Sequence, residues 1–486
     1  MQHLVPDNRK RAVLVLCCLA QFMVILDVSV VNVALPSIRH DLGFSAVDLQ
    51  WVVNAYTLTF AGFLLLGGRA ADLRGSRPVF IAGMLLFSLA SLAGALASSQ
   101  EQLIIARGAQ GLGGAVVAPV TLSILTNTFR EGSERNRALA AWGAMGGAGG
   151  AAGVLLGGIL TDLFGWPSIL LVNVPIGFAL AVAARRLVPP PGRAQRTRGH
   201  YDAAGAVVVT AALTGLTFAI VRTNVNGWGS AATLGVLGAS LALLGLFVLI
   251  EGRLARRPLI PLRIFASRRL TVANLVAFFL GSAVFAMWYF LSLYLQLVQG
   301  YSPIRAGLAF LPMTLSIVVG SVTAGRLAGR FGPGAVLALG MGMIAVGMTW
   351  LSGIQAGGNY AVDVLFPAIL IALGIGFAFV TVTISAVSGV QRNDAGLASG
   401  LVNTARQFGG SLGLAILATV ATSATAHSGP GREAAARALT AGYHDAFLVG
   451  AGLAAAGAVT AALAFVHRPA RSPAVPCATA AARPQA

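Results

Sequence analysis

The stretch Leu26–Pro36, L-D-V-S-V-V-N-V-A-L-P, sits in the first long apolar run of the chain and carries a carboxylate, Asp27, with apolar residues on both sides. A carboxylate in hydrocarbon costs several kcal/mol unless it faces a polar cavity, finds a partner or takes a proton. Burial disfavours its charged form, so protonation near neutral pH comes within reach. Of the fifteen acidic residues, Asp27 alone falls well inside a predicted span, which marks it as a group able to load and unload a proton. The competing reading is a structural carboxylate hydrogen-bonded to a neighbouring helix.

Working outward, the composition sets the class. The 486 residues are 57% hydrophobic and 10% charged, against about 25% charged in soluble domains. This is a polytopic membrane protein. The run from Ala12 to Leu35 is long enough to span and lacks a small-residue cleavage site, so no removable signal peptide is expected. The net charge of +18 invites a nucleic-acid reading. The basic residues sit instead in short loops between apolar runs, as membrane topology requires, and no nucleic-acid partner is expected. Cys17, Cys18 and Cys477 have no metal-ligand spacing, and no metal or cofactor is expected. The single lysine, Lys10, is followed by Arg11 and follows no glycine-rich turn, so there is no phosphate-binding loop of the ATPase type.

At about 20 apolar residues per span, the chain is predicted to be all-α with fourteen spans. They are 12–35, 49–68, 79–97, 102–126, 138–160, 168–187, 203–222, 231–250, 270–297, 304–324, 334–353, 362–388, 395–422 and 445–466. Of the loop and terminal Arg and Lys residues, 26 fall on the side of the termini and 5 on the other; Arg107 and Arg406 lie within spans. Basic residues collect on the cytoplasmic side, so both termini are expected there.

The chain also repeats. G-R-A-A-D-L-R-G at Gly68–Gly75 matches G-R-L-A-G-R-F-G at Gly325–Gly332 with an offset of 257. G-G-A-A-G at Gly149–Gly153 matches G-G-S-L-G at Gly409–Gly413 with an offset of 260. Each match joins like loops or like-running spans, so the repeat is parallel, as in transporters whose halves are related about the membrane normal. The predicted division is a six-helix bundle at 1–188, a polar Pro-rich linker at 189–201 and two inserted helices at 202–250. A second linker at 251–269, a six-helix bundle at 270–467 and a tail at 468–486 complete it.

With these segments in view, the sequence resembles the major facilitator superfamily, in particular its fourteen-helix drug–proton antiporters. The resemblance covers nearly the whole chain. It rests on Leu26–Pro36, on G-G-R-A-A-D-L-R-G-S-R-P at Gly67–Pro78 and on R-G-A-Q-G-L-G-G at Arg107–Gly114. N-V-P-I-G at Asn173–Gly177 and Y-L-Q-L-V-Q-G-Y-S-P-I-R-A-G-L-A-F-L-P at Tyr294–Pro312 add to it, as does G-L-A-S-G-L-V-N-T-A-R-Q-F-G-G-S-L-G at Gly396–Gly413. Two departures stand out: Val154 where that family's antiporter motif has Pro, and Trp166-Pro167-Ser168 where it has Trp-Arg-Trp.

The resemblance implies proton-coupled export of small amphipathic compounds by alternating access, a monomer in the lipid bilayer, and no enzymatic reaction. It makes the first and fourth spans neighbours. Asp27 and Arg107 then lie at similar depth, roughly 12 and 9 Å from one membrane surface at about 1.5 Å per residue. An arginine that meets the carboxylate in one state and leaves it in another is a proton switch; the alternative is an arginine that snorkels to the interface. Gln110 shares the Arg107 face. Gly68, Asp72, Arg74 and Gly75 form the implied loop latch, and Gly149, Gly153, Gly157 and Gly158 a stripe for close, sliding helix contact. Asn32, Gln110, Tyr289, Gln296, Asn403, Arg406 and Gln407 are candidates for the substrate cavity, with Trp288 and Tyr294 beside them. Arg406 has no evident carboxylate partner. One deep carboxylate predicts one coupled proton and neutral or monocationic substrates. A dedicated exporter of one metabolite or lipid is the alternative within transport. A nontransporting receptor or scaffold is the alternative outside it, and no segment is large enough for its soluble domain.

Overall fold

The computed structural model describes residues 7–130, 133–190, 202–255, 258, 260–388, 390, 394–425 and 432–466. The predicted linker 189–201 is therefore described only at its first two residues, and the tail 468–486 lies outside the described residues. Among these residues there is no strand. The helices are α1 (Asp7–Leu42), α2 (Trp51–Arg74), α3 (Ser76–Ala95), α4 (Gln100–Thr128) and α5 (Ser133–Phe164). A single turn, Ser168–Leu171, leads into α6 (Asn173–Leu187), followed by α7 (Ala203–Asn226) and α8 (Ala231–Leu249). The rest are α9 (Arg268–Leu293), α10 (Pro303–Phe331), α11 (Pro333–Leu351), α12 (Phe366–Val387), α13 (Ala395–Thr425) and α14 (Arg432–Ala461). Every predicted span has its helix. Thirteen segments among the described residues are long and apolar enough to cross a membrane. α13, with 31 residues, fills the remaining predicted span.

The internal repeat appears in the packing. α1 packs on α5 as α9 packs on α13, and α2 and α3 flank α4 as α10 and α11 flank α12. The two loop motifs share a turn. Gly75 and Gly332 have φ of +88° and +83°, and each N–H bonds the carbonyl four residues back, on Ala71 and Ala328. A left-handed φ favours glycine, so the motif keeps Gly at both ends of the repeat.

Two features differ from the sequence expectation. The first helix does not stop before Pro36 but runs through it to Leu42. Proline lacks the N–H that would bond the carbonyl of Asn32. That carbonyl instead accepts Ser292 Oγ of α9 at 2.6 Å, and the Val33 carbonyl accepts Gln296 Nε2 at 2.9 Å. The freed backbone of one half is thus satisfied by side chains of the other, as backbone in a membrane requires. Second, the inserted pair, expected from its place between the repeats to pack at the periphery, is not wholly peripheral. α7 packs on both α2 and α13, with Thr419 Oγ1 donating to the Ile220 carbonyl at 3.2 Å, while α8 touches α7 and is otherwise mostly exposed.

The two halves meet toward the face distal to the N-terminus. α5 packs on α10, where a methyl at Gly158 would lie 2.5 Å from the Pro303 carbonyl and one at Gly307 2.8 Å from the Val154 carbonyl. α2 packs on α13, where the buried Ser411 Oγ donates to Asn54 Oδ1 at 3.0 Å.

Candidate functional site

The site is built within the first half. α4 is pressed between α2 and α3 because its R-G-A-Q-G-L-G-G run has no side chains where the neighbours pass. Gly111 abuts the Tyr56 backbone and Gly113 the Phe87 backbone. Ser99 caps the helix by accepting the Gln102 N–H. This fixes Arg107 and Gln110, one turn apart, against α1. On the other flank of α1, the glycine stripe of α5 seats it closely. Methyls at Gly149, Gly153 and Gly157 would come within 3 Å of the Phe22, Leu26 and Val30 carbonyls.

Between these supports the carboxylate of Asp27 is completely buried. Its Oδ2 accepts Arg107 Nη1 at 2.6 Å. Its Oδ1 accepts Gln110 Nε2 at 2.7 Å and Asn173 Nδ2, from the first residue of α6, at 2.8 Å. Both amides also donate to Ser91 Oγ of α3, at 2.6 and 3.2 Å. Arg107 is anchored further: Nη1 donates to Gln110 Oε1 at 2.6 Å, Nε to the Val52 carbonyl at 3.1 Å, and its guanidinium lies 4.5 Å from the Tyr56 ring centre. A buried ion pair repays its desolvation only when its remaining donors and acceptors are met. Here both carboxylate oxygens are met by three donors, and Arg107 is only 2% exposed.

Ionised, the carboxylate matches all three donors. Protonated, it no longer neutralises Arg107, and the guanidinium is left with Gln110, a carbonyl and a ring. The cluster joins five helices at one point, with Asp27 of α1 bound directly to α4 and α6, and α2 and α3 held through Arg107 and Ser91.

The other predicted residues are distributed differently. Gln110 belongs to the carboxylate cluster and not to a substrate cavity, because its amide is consumed by Asp27, Ser91 and Arg107. Asn32 and Gln296 lie in the seam between α1 and the end of α9, where Gln296 reaches across to the backbone near the Pro36 break; Gln296 also lines an open cleft with Pro36, His40, Asp41, Trp166 and Pro303. Tyr289 is 2% exposed, packs edge-on against Phe290 at 5.2 Å and has no hydrogen-bond partner for its hydroxyl among the described residues. Trp288 stacks near Phe310 at 4.9 Å, and the Tyr294 hydroxyl donates to the Gln355 carbonyl at 2.7 Å.

On α13, Asn403 Oδ1 accepts a hydrogen bond from Arg406 Nη2, and the guanidinium lies 4.1 Å from the centre of the Phe379 ring. Gln407 is buried, and Gly410 serves contact with Phe285 of α9. In the loop motif, the glycine of closest approach is Gly67, over the Ala115 carbonyl that Pro119 leaves without its helical donor; Gly68 meets Pro119 at an ordinary distance of 3.5 Å. Arg74 is exposed, and the side chain of Asp72 lies outside the described residues. Gly158 faces α10 across the seam, so the four α5 glycines divide between the two faces of that helix.

Sequence reading missed Asn173, Ser91, Tyr56 and the Val52 carbonyl. Asn173 carried a usable signal, an amide just before a proline in an apolar span. Ser91 did not, since nothing separates it from Ser88. The carbonyl and the ring act through position alone.

Three comparisons with known proteins bear on this arrangement. A family model described as Major Facilitator Superfamily matches residues 17–414. The Cephamycin export protein CmcT of Amycolatopsis lactamdurans is 44% identical over 436 residues, covering 90% of this chain and 88% of that protein. The Puromycin resistance protein pur8 of Streptomyces alboniger is 39% identical over 424 residues, covering 87% of this chain and 84% of that protein. Among solved structures, a bacterial homolog of the human lysosomal transporter Spinster, inward-facing and unoccupied, superposes with a TM-score of 0.68 over 95% of this chain and 98% of that one. At 15% identity it shows a shared fold.

Proposed function

The chain belongs to the Major Facilitator Superfamily, and on that premise we propose that it is a proton-coupled exporter of small amphipathic compounds, antibiotics among them, working by alternating access. The observation that carries the coupling is the Asp27 cluster: a fully buried carboxylate held by Arg107, Gln110 and Asn173 among apolar helices. An intramembrane ionisable group with a displaceable partner is the part such an exchanger needs. In one step of the cycle a proton neutralises Asp27 and frees Arg107; in the other the proton leaves and the pair re-forms. Coupling follows if only one of these states is compatible with the closed distal seam.

The division of the chain is the one the repeat suggests, residues 1–188 and 270–467 as the two moving halves with 202–250 inserted. Substrate binds between the halves near the midplane. The protein acts as a monomer in the cell membrane, both termini cytoplasmic, and makes and breaks no covalent bond. Gly75 and the α5 glycines serve the rocking contacts, and Asp72 with Arg74 the cytoplasmic latch. A second reading, a dedicated exporter of one compound, is favoured by the relatives named for cephamycin, puromycin and tetracenomycin C, one compound each.

Growth inhibition by a panel of antibiotics in an efflux-deficient bacterial host tests both. The wild-type chain should protect and Asp27→Asn should not. Protection against one compound alone selects the dedicated exporter. Efflux that survives collapse of the proton gradient at unchanged ATP would refute proton coupling.

A further inference from the structure

Arg107 and Arg406 are the two cations that lie within predicted spans, and the structure treats them oppositely. Arg107 has a carboxylate, an amide oxygen, a carbonyl and an aromatic ring around it. Arg406 makes one hydrogen bond among the described residues, to Asn403 on its own helix, and lies over Phe379. The described ion pairs, Lys10–Glu134 and Arg107–Asp27, do not include it. A guanidinium carries five donors and stays charged, so most of its hydrogen-bonding capacity is unspent. It lies roughly 17 Å along α13 from the first residue, at about 1.5 Å per residue. Its own carbonyl is wedged against Gly281 in the middle of α9.

The direction of the head group follows from its neighbour. Phe379 is 44% exposed on α12, a helix that packs on α9, α10, α11 and α13 of its own half. Arg406 lies over that ring and is itself only half-buried. A charge at this depth does not sit among acyl chains, so it opens into the cleft between the halves. Because Asp27 and Arg107 neutralise each other, Arg406 is the uncompensated deep charge among the described residues. One deep carboxylate set the expectation of one coupled proton and neutral or monocationic substrates; a second deep cation without a carboxylate adds an anionic group to the chemistry the site can receive.

Resting on the exporter reading, we propose that Arg406 is the anchor for an anionic group of the substrate, a carboxylate on an apolar or aromatic body. The guanidinium receives the two oxygens in a fork, and Asn403 fixes its orientation from below. Phe379 offers the aromatic wall for the body of the ligand.

Three probes sharing one apolar body test this: pyrenebutyrate, its methyl ester and pyrenebutylamine, titrated onto the purified full-length protein in nanodiscs. The expected order is carboxylate, then ester, then amine, with about a tenfold gap between the first two. Arg406→Gln should level carboxylate and ester, the carboxylate losing more affinity than the ester. Arg406→Lys, which keeps the charge and loses the fork, should retain part of the gap. Equal binding of carboxylate and ester by the wild type, or an unchanged gap in Arg406→Gln, overturns the inference. Should Arg406→Gln not fold, the wild-type order and Arg406→Lys still decide it. Proton-driven uptake of the probes into vesicles is read separately. A protein that prefers the carboxylate yet neither moves a probe nor protects against any antibiotic of the growth panel refutes the exporter reading and leaves this anchor standing.

Discussion

At the scale of single residues, the Asp27 carboxylate and the Arg107 guanidinium are each intolerable alone. Removing one partner of a buried pair leaves an uncompensated charge and costs about 3–5 kcal/mol. Arg107→Gln should therefore lower the stability of the detergent-purified protein by that order, and Asp27→Asn/Arg107→Gln should recover most of it without recovering proton coupling. Thermal unfolding of the two variants checks this; a double variant as unstable as the single one would mean that Arg107 is held by Val52 and Tyr56 alone. The pair itself was legible in the sequence, because depth follows from counting residues along two apolar spans. Its surroundings were not. Asn173 and Ser91 are polar residues of ordinary type whose importance comes from which helices become neighbours, and a linear pattern does not carry that. Gln110 was placed on the right face but given to the wrong ligand, since helical spacing tells what a residue shares a face with and not what crosses to meet it.

At the scale of elements, Pro36 joins sequence to motion. It leaves the Asn32 carbonyl without a helical donor, and Ser292 of the other half supplies one. The bond exists only while α1 and α9 are together, so it favours the closed distal seam. A net hydrogen bond contributes about 1 kcal/mol, which is roughly fivefold in the ratio of open to closed. Ser292→Ala should shift that ratio toward open by this factor, read as a longer distance between spin labels at His40 and Arg305, both exposed on that face. An unchanged distance distribution would show the seam to be held by α5 and α10 instead. Gly158→Val probes that second contact: its side chain would meet the Pro303 carbonyl, and it should open the same pair of labels more strongly than Ser292→Ala. The sequence showed the helices and the glycine stripe. It did not show that Gly158 meets the opposite half: next to Gly157 it falls off the four-residue period of the other three, and a period names a face but not the helix that packs on it.

At the scale of the whole molecule, the charge bias of the loops predicts the orientation. A cysteine at Gln195, in the linker between the halves, should resist external labelling in intact cells, and strong labelling there would invert the topology. The count of deep charges predicts the driving force. One elementary charge crossing 100 mV is worth about 2.3 kcal/mol. A monoanion leaving as one proton enters moves two charges inward, roughly 4.6 kcal/mol per 100 mV on the same scale. A neutral compound moves one and a monocation none. Membrane voltage alone should thus drive pyrenebutyrate more steeply than its ester, and pyrenebutylamine not at all; equal voltage dependence for the three would contradict one-proton exchange.

The central claim is that the proton rides on Asp27. The direct measurement is transport by purified wild type and Asp27→Asn in liposomes under an imposed pH gradient, with a transported antibiotic from the growth panel as substrate. The neutral amide keeps the shape of the site and removes its proton. Wild type should accumulate substrate against its gradient. Asp27→Asn should lose accumulation while still exchanging substrate downhill, since the pathway between the halves is intact. Full uphill transport by Asp27→Asn would contradict the account and place the proton on another group.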